Sequence, residues 1–249
     1  MTVVPHVPRR EIVARVRALP DVTPERITPL LVPMWEVDVV ATVREAYPYD
    51  VLDRYLARAI ADGELTGPEE LAGFYGMETG LVRRVLAGMA VIGHLDEDGR
   101  LTALGRRSVA DGRRYLLRSG RRMTFRFDGF EGGPVPRVHG TGSVWLRHPE
   151  LTLRDGTRFA AVPGVPLASG ALDLLLARPD LSDFSGQVVP VSAEISRTRP
   201  VWLPVYLVTC REAPPLAFVK AVDGPDPYLA DLLGRVYRGT AGEPVGEHQ

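Results

Sequence analysis

The stretch from Tyr47 to Val109 constrains this chain most, because its apolar residues change spacing at fixed breaks. Val51, Leu52, Tyr55, Leu56, Ala59 and Ile60 recur at helical spacing and predict an amphipathic helix over about 49–61, stopped by Gly63. Pro68 suits the first turn of a second, short helix carrying Leu71, Ala72, Phe74 and Tyr75, which Gly76 breaks. A third helix is predicted from Thr79, with Leu81, Val82, Val85, Leu86 and Met89 turned inward. The following IGHLDEDGRLTALG has the pattern of two short strands around a turn at Asp96–Gly99.

Three helices and a small hairpin in this order, followed by LTALGR, resemble a winged helix-turn-helix domain over about residues 48–110. In a DNA-binding member, the third helix enters the major groove and its early exposed side chains meet base edges. The resemblance places Glu78, Thr79, Gly80, Arg83 and Ala87 there, with Arg84 at the flank. Arg83 or Arg84 could then pair with guanine or phosphate. The charge runs against that use. Residues 48–99 hold four Arg against ten acidic residues, and the hairpin tip is Asp96, Glu97 and Asp98. Phosphate attraction supplies much of protein–DNA affinity, so an acidic helix and wing favour a winged helix that docks protein.

The whole chain is nearly neutral, with 30 basic and 31 acidic side chains over 249 residues, but its charge is uneven. Residues 106–126 carry eight Arg and one Asp, the only concentrated positive block. A helix is expected to run through about Arg118 and end at Gly120, placing Arg106, Arg107, Arg113, Arg114, Arg118, Arg121, Arg122 and Arg126 on that helix and the start of a strand. With Tyr115 and Phe125 interleaved, the block could grip a phosphate backbone, stack on bases, dock an acidic partner or neutralise the acidic module within the chain.

Around the module lie other elements. Residues 1–8 have no pattern and read as a loose tail, and Glu11–Leu19 as a short packing helix. Trp35, Val37, Val39, Ala41 and Val43 alternate with Glu36, Asp38, Val40, Thr42 and Arg44, the period of a strand with one buried face. Pro29 and Pro33 restrict the part before it to an edge or an irregular approach. Glu36 and Asp38 on one strand face could hold a metal or work as acid and base, but a salt-bridged sheet face is the expected reading. Beyond Met123 come short strands near 123–127, 143–146, 151–153 and 158–162, then a helix over 169–177. VVPVSAEIS, VWLPVYLVTC and PLAFVKAVD read as three strands, and PDPYLADLLGRVYRG as a final amphipathic helix. His139 and His148 have no Cys or His partner spaced for zinc and are expected to be ordinary histidines.

No phosphate-binding loop, dinucleotide fingerprint, nucleophile elbow or zinc-protease motif occurs. The single Cys210 excludes an internal disulfide and fits a reducing compartment. No apolar run is long enough to span a bilayer. The expectations are therefore an α+β protein with a winged-helix module joined to a strand-rich domain and a C-terminal helix. The division is 1–46, packing on the C-terminal domain; 47–120, the winged helix; 121–239, the strand-rich domain; and 240–249, a disordered tail. The expected role is a non-catalytic cytoplasmic adaptor subunit of a bacterial multi-protein assembly, with no cofactor, metal or membrane contact. Nucleic acid, DNA or RNA, is its further expected partner. The alternative is a DNA-binding transcription regulator with a C-terminal ligand or dimerisation domain. The candidate partner-binding residues are Arg83, Arg84, Arg106, Arg107, Arg113, Arg114, Arg118, Arg121 and Arg122. Oligomeric state is left open.

Overall fold

A computed structural model describes residues 6–239 except 21, 64, 66, 141, 187 and 212. In chain order the elements are α1 (Arg9–Arg17), β1 (Pro24–Pro48), α2 (Val51–Gly63), α3 (Pro68–Tyr75), α4 (Thr79–Val91), α5 (Ala103–Asp111) and β2 (Arg113–Asp128). There follow β3 (Leu151–Thr152), β4 (Arg158–Ala161), α6 (Ala171–Leu176), α7 (Ser182–Ser185), β5 (Val189–Cys210), β6 (Leu216–Phe218) and α8 (Pro227–Gly239). The chain is α+β, with a mixed sheet in the order β3-β4-β1-β5-β6 and β2 paired to β1 as well. β1 runs parallel to β4 at Leu30–Ala160, whereas β3 is antiparallel to β4 and β6 to β5. Among the described residues no helix is long and apolar enough to cross a membrane.

The described residues divide into two compact units. The strand-rich unit takes the chain up to Val39, Arg122–Gly186 and Glu194 onward; the helical unit takes Val40–Arg121 and the segment 187–193. The long strands β1, β2 and β5 thus contribute to both, and the helical unit includes strand ends that lie outside the 47–120 expected from sequence.

In the strand-rich unit, Leu30, Leu31, Val32 and Met34 are all buried, the mark of a strand covered on both faces. One cluster joins Val32 and Met34 with Leu203, Val205, Leu229, Leu232 and Leu233, so α8 lies against one side of the sheet. Another joins Leu31 with Ile12, Val16, Phe159, Tyr206 and Phe218, which brings in α1. Asp226 caps α8, its Oδ1 accepting from Leu229 N at 3.0 Å ahead of Pro227 in the first helical position. His139, also buried, sets Nδ1 2.7 Å from the other Asp226 oxygen, close enough for an ion pair though off the line of a hydrogen bond.

In the helical unit, Leu56, Ile60, Leu71, Val82 and Met89 are buried together, with Val85 and Leu86 packed beside them. Asp50 caps α2 by accepting from Leu52 N at 3.0 Å, and Gly76 ends α3 in the left-handed region. Leu95 and Leu101 form a single antiparallel bridge around the Asp96–Gly99 turn. Asp96 Oδ1 holds that turn by accepting from Asp98 N and Arg100 N.

Several expectations are corrected. The helix over the Arg block ends at Asp111 because Gly112 adopts φ 63°, which breaks the helical path and releases the chain into β2. Arg113, Arg114, Arg118, Arg121 and Arg122 are therefore strand residues. β1 continues through Pro29 and Pro33 inside the sheet; at Pro33 the neighbouring chain uses the carbonyl, which accepts from Gly129 N at 2.9 Å, so the missing N–H is not called on there. The two strands read from VVPVSAEIS and VWLPVYLVTC are one, β5. The strand expected near 143–146 is a lone bridge from Leu146 to Trp202. His6 and Val7 are not a loose tail: His6 stacks on Tyr206, whose hydroxyl donates to Val7 O at 3.0 Å. The expected tail 240–249 lies outside the described residues.

Candidate nucleic-acid interface

Strand alternation sorts the arginines onto two faces. On β1, Val37, Val39, Ala41 and Val43 are buried, so Glu36, Asp38, Val40, Thr42 and Arg44 share the other face. In the helical unit, Thr42 Oγ1 lies 3.1 Å from Ser119 Oγ, and the Arg44 guanidinium lies over the Tyr115 ring at 5.0 Å. These contacts put Tyr115 and Ser119 of β2 on the Thr42 face, and alternation adds Arg113 and Leu117. That face is open. Val40 is 41% exposed and Leu117 50%.

The opposite face of β2 is neutralised from within. Arg118 Nε reaches Glu45 Oε2 at 3.1 Å, and Arg114 Nη1 stands 3.8 Å from Asp53 Oδ2. The Tyr47 hydroxyl, donating to Glu45 Oε2 at 2.7 Å, holds the Glu45 carboxyl below the usual carboxylate range, with Arg118 and the charge of Arg121 assisting. Burial pushes the Asp53 carboxyl up, with Arg114 opposing.

In the strand-rich unit Thr124 Oγ1 donates to Asp38 Oδ1 at 2.7 Å, and alternation puts Arg122 on the Thr124 face of β2, where it is exposed.

The other candidates are mostly engaged. Arg83 on α4 pairs with Glu69 of α3, Arg107 with Asp111 at 3.5 Å, and Arg106 donates to Leu101 O at 2.5 Å. Arg84 is exposed on α4. The nine arginines thus lie on α4, α5 and β2, and among the described residues Arg84, Arg106, Arg113, Arg121 and Arg122 form no ion pair, Arg106 being held by the Leu101 carbonyl. Sequence reasoning passed over Arg44 as a binding residue; its place on the exposed phase of the 35–44 alternation was the signal available.

What fixes the start of β2 is a buried polar cluster. His94 Nε2 lies 2.7 Å from Tyr115 O and 3.3 Å from Ser108 Oγ, which in turn accepts from Tyr115 N at 3.2 Å. A carbonyl only accepts, so Nε2 carries the proton. Burial holds the His94 imidazole below its ordinary pKa, with the Tyr115 carbonyl opposing, and favours the neutral ring. Ser108 and His94 are both buried, and through the Tyr115 backbone they tie α5 to the start of β2.

In the strand-rich unit the Glu36 and Asp38 carboxylates meet arginines. Glu36 accepts from Arg126 Nη2 of β2 at 2.7 Å and from Arg199 Nε of β5 at 2.6 Å, and Arg199 also stands 3.5 Å from Asp38. Arg126 lies over the Trp145 ring at 4.4 Å. Both carboxylates are occupied by guanidinium and form a salt-bridged sheet face. Among the described residues no group of three or more His, Cys, Asp or Glu is placed to hold a metal ion.

No family model, no curated protein and no solved structure matches this chain.

Proposed function

We propose that this chain is a non-catalytic adaptor subunit of a multi-protein assembly, with residues 48–110 acting as a winged-helix docking module. Its nucleic-acid contact runs through the open face of β1 and β2. The observation that carries this reading is the Arg44 guanidinium over the Tyr115 ring, with Arg113 exposed two residues before Tyr115 on β2, while Arg83 of α4 is tied to Glu69. Guanidinium groups meet phosphates, and a tyrosine ring beside them offers a base a stacking surface. The acidic wing tip, with Asp96, Glu97 and Asp98 exposed, repels a duplex from the side that a regulator would present.

Two arginines neutralising two phosphates of a single strand give a slope of about −1.4 in log affinity against log salt, or roughly a sevenfold loss between 50 and 200 mM. Fluorescence anisotropy with labelled single-stranded and duplex oligonucleotides tests this. Arg44→Ala with Arg113→Ala should abolish binding, Arg83→Ala should leave it within about twofold, and sequence should matter little. Salt-resistant binding to one short duplex, lost with Arg83→Ala, would establish a DNA-binding regulator instead. Binding to protein alone would leave the arginine face as a protein-docking surface.

A further inference from the structure

The strand-rich unit contains a cavity of about 490 Å³ that this reading does not use. Two indoles, Trp35 and Trp202, form its walls together with Pro33, Pro149, Pro166 and Pro200. No charged side chain stands among the described residues that line it. The volume lies in the range of sites that take a small organic ligand.

The cavity is built rather than left over. Its rim, Val162–Pro166, has no helix or strand of its own, yet it is tied down at three points. Val162 N donates to Leu31 O at 3.0 Å, Val165 N to Gly129 O at 2.7 Å, and Trp35 Nε1 to Val165 O at 2.9 Å. A methyl group at Gly164 would come within 2.8 Å of Pro33, so rim and sheet are already in close contact there. Proline rings lose no side-chain freedom when a ligand arrives, and a rim held by hydrogen bonds does not have to be ordered first. These properties keep the cavity from collapsing and lower the cost of filling it.

We propose that this cavity binds a small uncharged molecule bearing a flat apolar ring. The ring would lie against the indoles and proline rings, which offer π faces and C–H edges. The Trp35 N–H is already spent on Val165 O, and a carboxylate or ammonium entering the cavity would lose its water with no counter-charge in return.

The test uses the full chain and two fluorescent probes, neutral N-phenyl-1-naphthylamine and its anionic relative anilinonaphthalene sulfonate. The neutral probe should bind at one site, accept energy from tryptophan, and bind at least tenfold more tightly than the sulfonate. Ala161→Trp and Val165→Trp place bulk at the cavity, and Val165→Trp keeps the backbone carbonyl that Trp35 needs. Each should weaken the neutral probe at least tenfold with an unchanged melting temperature. Val165→Trp serves as the readout if Ala161→Trp disturbs β4. Equal affinity for the two probes would overturn the proposal, as would undiminished neutral-probe binding in both variants. So would a dimer of the native chain that both variants dissociate, because the occupant would then be a second copy.

Discussion

His6 makes a stability prediction with a definite pH window. Its ring stacks on Tyr206 at 5.7 Å and meets Phe159 edge-on at 5.3 Å, and neither nitrogen has a hydrogen-bond partner. Burial, and then the charge of Lys220, hold the imidazole down at about 4 from an ordinary 6.5. The unfolded chain therefore takes up a proton on His6 as pH falls below 6.5, while the folded chain resists until about 4. Acid favours the unfolded state throughout that window. The linkage integral gives a loss of about 2 kcal/mol between about pH 8 and about pH 5, rising to about 3 kcal/mol below pH 4. His6→Phe keeps an aromatic ring between Phe159 and Tyr206 and removes the proton. Urea unfolding followed by tryptophan fluorescence at the two pH values should show the native chain losing about 2 kcal/mol more than His6→Phe. Equal losses in the two proteins would refute the burial argument.

Leu56, fully buried between the helices, should cost about 2–5 kcal/mol on Leu56→Ala, read by thermal unfolding of the helical unit's circular dichroism. Glu36→Gln leaves Arg126 and Arg199 without their shared carboxylate; because those side chains retain 20 and 21% exposure, the expected loss is about 2–3 kcal/mol, below that of a fully buried pair, by urea titration. Cys210 sits half-buried with its thiol pKa pushed up by burial and by the Glu25 carboxylate, so Ellman's reagent should label the native chain far more slowly than the urea-unfolded chain at about pH 8.

The helical unit was legible because its signals are local. Gly63, Pro68, Gly76 and the apolar spacing of Val82 and Met89 act within one turn of the chain; α2 falls within two residues of its expected bounds, α3 runs from Pro68 to the residue before Gly76, and α4 starts at Thr79. The alternation from Trp35 to Arg44 gave the two faces of β1 for the same reason. The Arg block misled because the residues flanking Gly112 have no decisive local preference. What places Arg113–Asp128 in a strand is pairing with β1, some 80 residues away, and the Ser108–His94–Tyr115 cluster, neither of which leaves a periodic trace. Length was lost in β5, where the polar stretch Arg197–Pro200 looks like a break but lies inside one strand. The division of Arg113 from Arg114 and Arg118 depends on Glu45 and Asp53, acids that belong to other elements.

In the proposed reading, nucleic acid meets the β1–β2 face and leaves α4 and the Asp96–Gly99 turn alone. Amide hydrogen exchange on the full chain, with and without a saturating single-stranded oligonucleotide at low salt, tests it most directly. Added protection is expected over residues 40–46 and 113–121, with no change over 79–101. Protection confined to 79–101, with 113–121 unchanged, would contradict it.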